Sequence, residues 1–303
     1  MDVVFKWRPH FIIYQDLTST KQYVRIKLAS NINIYQYNYE KVRMEQLLVS
    51  HWHKNTRYEI QSIDGVEYIV PCEYGSVYDP IKSENSMMTD ALNLGEYLTE
   101  NDICQNERVL DFVHKYGLLG IMPDIAGSDI GKNERLIVRD NIFTDSGMVD
   151  VNEFAKTFFP LDNIDLLDKA NKKGKLRLYY RSPIYSTMFL RKYRYCEPLE
   201  WVKKYFKYLY SFTISKESKL TEFIPPRLTY KIDNRNGLNL LCEYDSLKAM
   251  IDLAFAKAVT DDKKPLRTCK HCGKLFYATD IRSEFCSARC RNQYNVYKSR
   301  AKH

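Results

Sequence analysis

The chain has 303 residues, 45% hydrophobic and 14% aromatic, which excludes a disordered or low-complexity protein and permits a sizeable buried core. No run of about 18 apolar residues and no N-terminal apolar segment marks a membrane span or a signal peptide. Four of the eight cysteines, Cys72, Cys104, Cys196 and Cys242, are scattered singly, the pattern of reduced thiols in a cytoplasmic protein rather than of a disulfide framework.

The net charge of +8 is unevenly spread. Residues 1–171 hold 17 Lys and Arg against 26 Asp and Glu, a charge of −9. Residues 172–208 hold 11 against 2, and residues 261–303 hold 11 against 4. An acidic half followed by basic stretches points one end of the chain at a polyanion, or the two halves at each other.

Residues 1–80 read as mainly β. Phe11–Tyr14 and Tyr23–Leu28 are strand-like, the second alternating apolar and basic side chains. Tyr39 to Trp52 is expected to form a short helix. The pair His51 and His53 would share a strand face, but no neighbouring acid or histidine completes a metal site, so both are read as surface or hairpin residues. Tyr58–Ile63 and Val66–Val70 flank Asp64-Gly65, the signal of a type I′ hairpin.

Residues 81–100 are polar and loop-like, with a short helix at Ser86 to Leu98. A firmer helix runs from Glu107 to Tyr116, with Asn106 as its cap, Gly117 as its stop and Val109, Leu110, Phe112, Val113 and Tyr116 inward. Asp111 and His114 are three apart on it, a spacing open to acid–base work but also that of an exposed polar face. Residues 121–146 read as a long loop or hairpin insertion. Asp150-Val151-Asn152-Glu153 opens a helix that Pro160 stops.

In the second basic region, Arg191, Lys192 and Arg194 alternate with tyrosines. Glu197 is expected to cap a helix with Pro198 at its first position. Trp201, Val202, Tyr205, Phe206, Leu209 and Tyr210 form its inner stripe, and Lys203, Lys204 and Lys207 point outward. Such a patch can clamp single-stranded nucleic acid, although a solvated lysine face accounts for the same residues. A hairpin over 228–243 and a helix from Asp245-Ser246 to Ala258 follow, then the linker Asp261–Pro265.

The last stretch carries the clearest chemistry. Cys269, Cys272, Cys286 and Cys290 are spaced C-x2-C-x13-C-x3-C, two short arms of soft ligands that suit one tetrahedral zinc. Four cysteines leave no open coordination position, so the zinc is structural. Gly273 closes the first arm, Leu275–Tyr277 leaves it as a strand, and Ser287 caps a helix carrying the second arm. On that helix Tyr294 and Tyr297 are expected to turn inward with the cysteines. Arg291, Asn295, Lys298 and Lys302 then form one outward stripe, flanked by Arg289, Asn292 and Arg300. Arg can pair with guanine edges and Asn with adenine while lysines neutralise phosphates. Lys274 and Arg282 are placed to hold the backbone.

With its Cys269-x2-Cys272-Gly273 knuckle, Phe276, Arg282, Phe285-Cys286-Ser287 and the basic run after Cys290, the stretch from about 266 to 303 resembles the CGNR-type C-terminal zinc finger of bacterial transcription regulators. The family's Gly-Asn-Arg reads Arg291-Asn292-Gln293 here. The resemblance implies DNA binding for this segment.

The sequence therefore predicts an α+β fold: a mixed domain of β-hairpins and packed helices over 1–260, with a sub-boundary near 171, then a zinc-ribbon-like or treble-clef-like finger over 261–303. The expected function is a zinc-dependent, DNA-binding transcriptional regulator with an N-terminal sensing or docking domain. DNA is favoured over RNA, no membrane is involved, and a homodimer and an effector are left open. G-x-S-x-G, Walker, dinucleotide and H-E-x-x-H motifs are all missing, so a binding protein is preferred to an enzyme. The alternatives are a metal-dependent nucleic-acid-processing enzyme using acids within 101–165, and a zinc-stapled protein-interaction module.

Overall fold

The computed structural model describes residues 52–73, 75–123, 125–129, 135–139, 141–161, 195–214, 220–226, 229–233, 239–243, 246–261, 266–278 and 280–301, with four further strands near the N-terminus. It is a mixed helix-and-sheet structure that divides into two compact units, Met1–Leu48 and Val49–His303.

The first unit is an antiparallel meander of β1 (Val3–Trp7), β2 (Phe11–Gln15), β3 (Arg25–Leu28) and β4 (Asn31–Ile32), paired in chain order. Val3 lies opposite Gln15 and Trp7 opposite Phe11. Two of these strands match the sequence expectation. Of the helix expected over Tyr39 to Trp52, residues 39–51 lie outside the described residues, and Trp52 begins a strand instead.

In the second unit, β5 (Trp52–Lys54) pairs with β8 (Ser76–Tyr78), and β6 (Arg57–Ile63) forms a hairpin with β7 (Val66–Glu73). The turn residues have φ of 50° at Asp64 and 81° at Gly65, the paired positive values of a type I′ turn. Trp52 is buried, and its Nε1 donates to Leu118 O at 3.0 Å. It is therefore a core anchor. His51 lies outside the described residues.

The organiser of this unit is α1 (Glu84–Glu100), a stretch that reads as polar in sequence. Met87, Met88, Ala91, Leu92, Leu94, Gly95 and Leu98 are buried along it, an i, i+3/i+4 stripe two residues wide. Each large side chain so buried contributes about 1.5–3 kcal/mol. Around α1 pack α2 (Gln105–Tyr116), α4 (Leu199–Ser211) and α5 (Leu247–Thr260). The closest approach is at Gly95, where a Cβ would stand 2.2 Å from Phe206 O and 2.7 Å from Tyr210 Cβ. Only a residue without a side chain lets α4 sit this near.

α2 starts at Gln105 rather than Glu107. Cys104, with φ of 54°, occupies the position before its first turn, so Asn106 is not the cap. Gly117 ends the helix as expected, its N–H donating to Val113 O at 2.7 Å. His114 is engaged at both ring nitrogens. Its Nε2 accepts from Tyr58 N at 3.2 Å, and Nδ1 donates to Leu110 O at 2.8 Å. The imidazole thereby brackets α2 and β6. Asp111 stands on the exposed side, 4.0 Å from Arg108.

A three-stranded sheet is formed by β9 (Ile125–Asp129), β10 (Arg135–Val138) and β11 (Gly147–Asp150), with β10 central. Leu136 and Val138 reach the core. Asp150 Oδ1 accepts from Asn152 N at 2.8 Å and Glu153 N at 3.2 Å, capping α3 (Val151–Phe158).

Glu197 departs from its expected role. It lies in β12 (Glu197–Pro198), opposite Ile69 of β7, and it does not cap α4. Its carboxylate is fully buried and accepts from Leu119 N at 3.0 Å, Gly120 N at 2.5 Å, Ile121 N at 3.2 Å and Tyr195 OH at 2.8 Å. Burial pushes its carboxyl above the usual range, and the four donors oppose that shift without cancelling it.

α5 is capped by Ser246, whose hydroxyl accepts from Ala249 N. Asp252, one turn after Lys248, is buried between Lys248 Nζ at 2.6 Å and Tyr205 OH at 2.9 Å. The hairpin expected before α5 is present as β13 (Thr229–Asp233) and β14 (Asn239–Glu243), Thr229 opposite Glu243. Its turn and the linker residues 262–265 lie outside the described residues. Among the described residues no helix is long and apolar enough to cross a membrane.

Candidate metal centre and the helix it positions

β15 (Leu266–Thr268) and β16 (Leu275–Tyr277) run antiparallel, with Arg267 opposite Phe276. The chain reverses between them through a tight knuckle. Gly273 N donates to Cys269 O at 3.0 Å, and Cys269 N donates to Lys274 O at 2.9 Å. Gly273 has φ of 75°, which costs glycine nothing and any other residue strain. The second arm is tied to the first by Lys270, whose N–H donates to Glu284 O at 3.1 Å and whose Nζ meets Glu284 Oε1 at 2.5 Å.

That second arm opens α6 (Ala288–Arg300). Ser287 is extended at the cap, and its hydroxyl accepts from Cys290 N at 3.2 Å. Cys286 precedes the cap and Cys290 lies in the first turn, so one capping residue brings their sulfurs to 3.4 Å. Cys272 Sγ is 3.7 Å from Cys286 Sγ, and the sulfurs of Cys269, Cys272, Cys286 and Cys290 all lie within 4.8 Å of one another.

The donor set fits a metal. A tetrahedral thiolate site with metal–sulfur bonds of about 2.3 Å has sulfur–sulfur edges of about 3.8 Å, close to the separations observed. Burial pushes the Cys269 thiol up, but backbone N–H groups of Cys272, Cys286 and His271 outweigh it and leave the group lowered to about 6. Burial and neighbouring thiols push Cys286 up to about 12. A divalent cation held by Cys269, Cys272, Cys286 and Cys290 would supply the charge that keeps all four as thiolates. The local core is small: Cys269, Phe276 and Ala278 are buried, with Phe285 and Cys290 against them.

The hairpin is seated on α1. Asn93 Oδ1 accepts from Leu275 N at 2.8 Å, and Asn93 Nδ2 donates to Leu275 O at 2.9 Å and to Thr89 O at 2.7 Å. Leu266, Leu275 and Tyr277 pack against the main core. Tyr277 OH also meets Asp261 Oδ2 at 3.2 Å.

No residue of α6 is buried. Arg289, Arg291, Asn292, Asn295, Lys298 and Arg300 are all exposed on it, as are Lys274 and Arg282 on the knuckle side; Lys302 lies outside the described residues. The expected inner face is only half realised. Tyr294 is half-buried against Phe285, with ring centroids 5.2 Å apart. Tyr297 is 58% exposed and lies on His271 instead, with centroids 5.7 Å apart and rings 24° from parallel. The helix has by then run past the small cluster that would have covered it. Sequence reading did not single out His271 or Gln293, which are joined by a hydrogen bond of 3.1 Å from Nε2 to Oε1. The i, i+4 spacing of Gln293 and Tyr297 was the available signal.

The second basic patch is described only in part. Arg191, Lys192 and Arg194 lie outside the described residues. Lys204 and Lys207 are exposed, but the side chain of Lys203 is only 12% exposed and pairs with Glu200 at 2.8 Å. It therefore does not point outward as expected. Trp201 stacks on Phe143 with rings 3° from parallel, and the rest of the expected inner stripe is buried. Comparison with known protein families, with curated proteins and with solved structures found no match to this chain.

Proposed function

We propose that this is a zinc-dependent nucleic-acid-binding protein, a DNA-binding transcriptional regulator whose residues 1–260 sense or dock. In this reading one structural zinc sits on Cys269, Cys272, Cys286 and Cys290. The knuckle, hairpin and helix then have the arrangement of a treble clef, in keeping with the resemblance to CGNR-type fingers. The observation that carries the proposal is helix α6, which opens from the four-cysteine cluster, has no buried residue, and bears Arg289, Arg291, Lys298 and Arg300 and no acidic residue. Its stripe of Arg291, Asn295 and Lys298 offers edge-reading groups beside a phosphate-neutralising one.

The test is duplex DNA binding by the zinc-loaded full chain, first with random-sequence pools and then with the selected site. Arg291→Ala is expected to cost about 1–3 kcal/mol and to relax sequence preference. Lys298→Ala is expected to weaken all sequences alike and to lower the salt dependence. Equal, purely salt-dependent losses in both variants would reject sequence reading by this helix.

A further inference from the structure

We infer that His271 and Tyr297 form a stacking platform for an unpaired base, so that the nucleic acid taken by this helix includes a single-stranded segment. The inference rests on the nucleic-acid reading above and narrows its ligand. Three observations converge on it.

The first is preorganisation. Tyr297 is held near-parallel to His271 at 5.7 Å, and Gln293 fixes that imidazole through its Nε2. A ring already held in place loses little side-chain freedom when a base stacks on it.

The second is accessibility. Tyr297 is 58% exposed and its neighbour Val296 48% exposed. An aromatic and an aliphatic residue thus meet solvent together on a helix that has nothing buried.

The third is charge. No acidic residue follows Glu284 in the chain, and Lys298 and Arg300 flank the ring on α6. Glu284, paired with Lys270, is the acid that acts on Lys298 from the second arm; an aromatic face beside Lys298 and Arg300 matches a base attached to phosphates. Gln293, Tyr297 and Arg300 recur at i, i+4 and i+7, so the platform forms a stripe of its own beside that of Arg291, Asn295 and Lys298. Bases inside an intact duplex cover each other's faces, so this platform has work only where a base is unstacked.

The experiment uses the full-length zinc-loaded chain and a short oligonucleotide carrying 2-aminopurine, offered as a single strand and as its duplex. The wild type is expected to bind the single strand and quench the 2-aminopurine. Tyr297→Ala is expected to weaken single-strand binding by about 5-fold or more and to remove the quenching. Duplex binding and zinc content should be unaffected, and Tyr297→Trp should retain the quenching. Equal losses on both ligands, or quenching that persists in Tyr297→Ala, overturn the platform and leave nucleic-acid binding standing. A wild type that binds only the duplex does the same. A wild type that binds neither ligand overturns the functional reading and the platform together.

Discussion

Asn93 of α1 and Leu275 of β16 lie 182 residues apart in sequence and exchange two hydrogen bonds, at 2.8 and 2.9 Å. The side-chain amide does for one residue what a neighbouring strand would do: it pairs both the N–H and the C=O of an otherwise unpartnered edge. Because Asn93 Nδ2 also donates to Thr89 O, the amide is locked to its own helix and cannot swing away. The cysteine module is thus seated on the organising helix of the larger unit. Replacing Asn93 with Ala should leave two backbone groups of Leu275 unpaired, at about 1–3 kcal/mol for each one that stays dry. Amide exchange at Leu275 should accelerate while zinc content stays at the wild-type level. Unchanged protection there would show that the apolar contacts of Leu266 and Tyr277 suffice.

Metal analysis should give close to one zinc per chain. Cys286→Ser should lose it, because three thiolates and a hydroxyl hold zinc far more weakly than four thiolates. Chelation of the wild type should release α6 first, since the helix has no buried residue and only Cys290, Gln293 and Tyr294 lean inward. Far-ultraviolet circular dichroism should then fall by little more than one helix. A global unfolding on chelation would mean that the larger unit depends on the metal as well.

Gly95→Ala should be strongly destabilising, by about 1–3 kcal/mol or more in the manner of core overpacking. The new methyl would meet the carbonyl of Phe206 at 2.2 Å, and a backbone atom inside a helix cannot step aside. Normally Gly→Ala in a helix interior stabilises by about 0.5–1 kcal/mol, so the sign of the change, read in a urea melt, decides whether α1 and α4 are in contact here.

Glu197 gives a pH signature. Its carboxyl is raised by burial, so the folded state holds its proton more tightly than the unfolded state does. The stability this adds is fully present below the unfolded carboxylate value of about 4.3 and is lost as pH rises through the folded value. Glu197→Gln does not titrate. The stability difference, wild type minus variant, should therefore shrink as pH is raised from 4 to 7. At pH 7 the variant should still be the less stable, since an amide NH2 must then face an N–H donor of the 119–121 turn. A pH-independent difference would show that the buried carboxyl has the same proton affinity folded and unfolded.

The parts of the protein written in short-range chemistry were legible without a structure. The four cysteines, the glycine of the knuckle, the Ser287 and Ser246 caps, the Asp64-Gly65 turn and the inner stripe of α4 each depend on neighbours within a few residues, and spacing encodes them. What spacing does not encode is which face meets which. The central place of α1 was hidden because its buried stripe is made of Met, Ala, Gly and Leu among polar residues, and its importance comes only from α4, α5 and β16 closing over it. Glu197 reads locally as a cap, but the N–H groups of residues 119–121 are a better partner than its own helix, and only the fold brings them together. Tyr297 fits an inward pattern by periodicity, yet the cysteine cluster is too short to reach it, so it lies on His271 at the surface. Asn93 carries no sequence signal at all: an asparagine on a helix becomes a docking residue only when a strand edge with two unpaired backbone groups is brought against it.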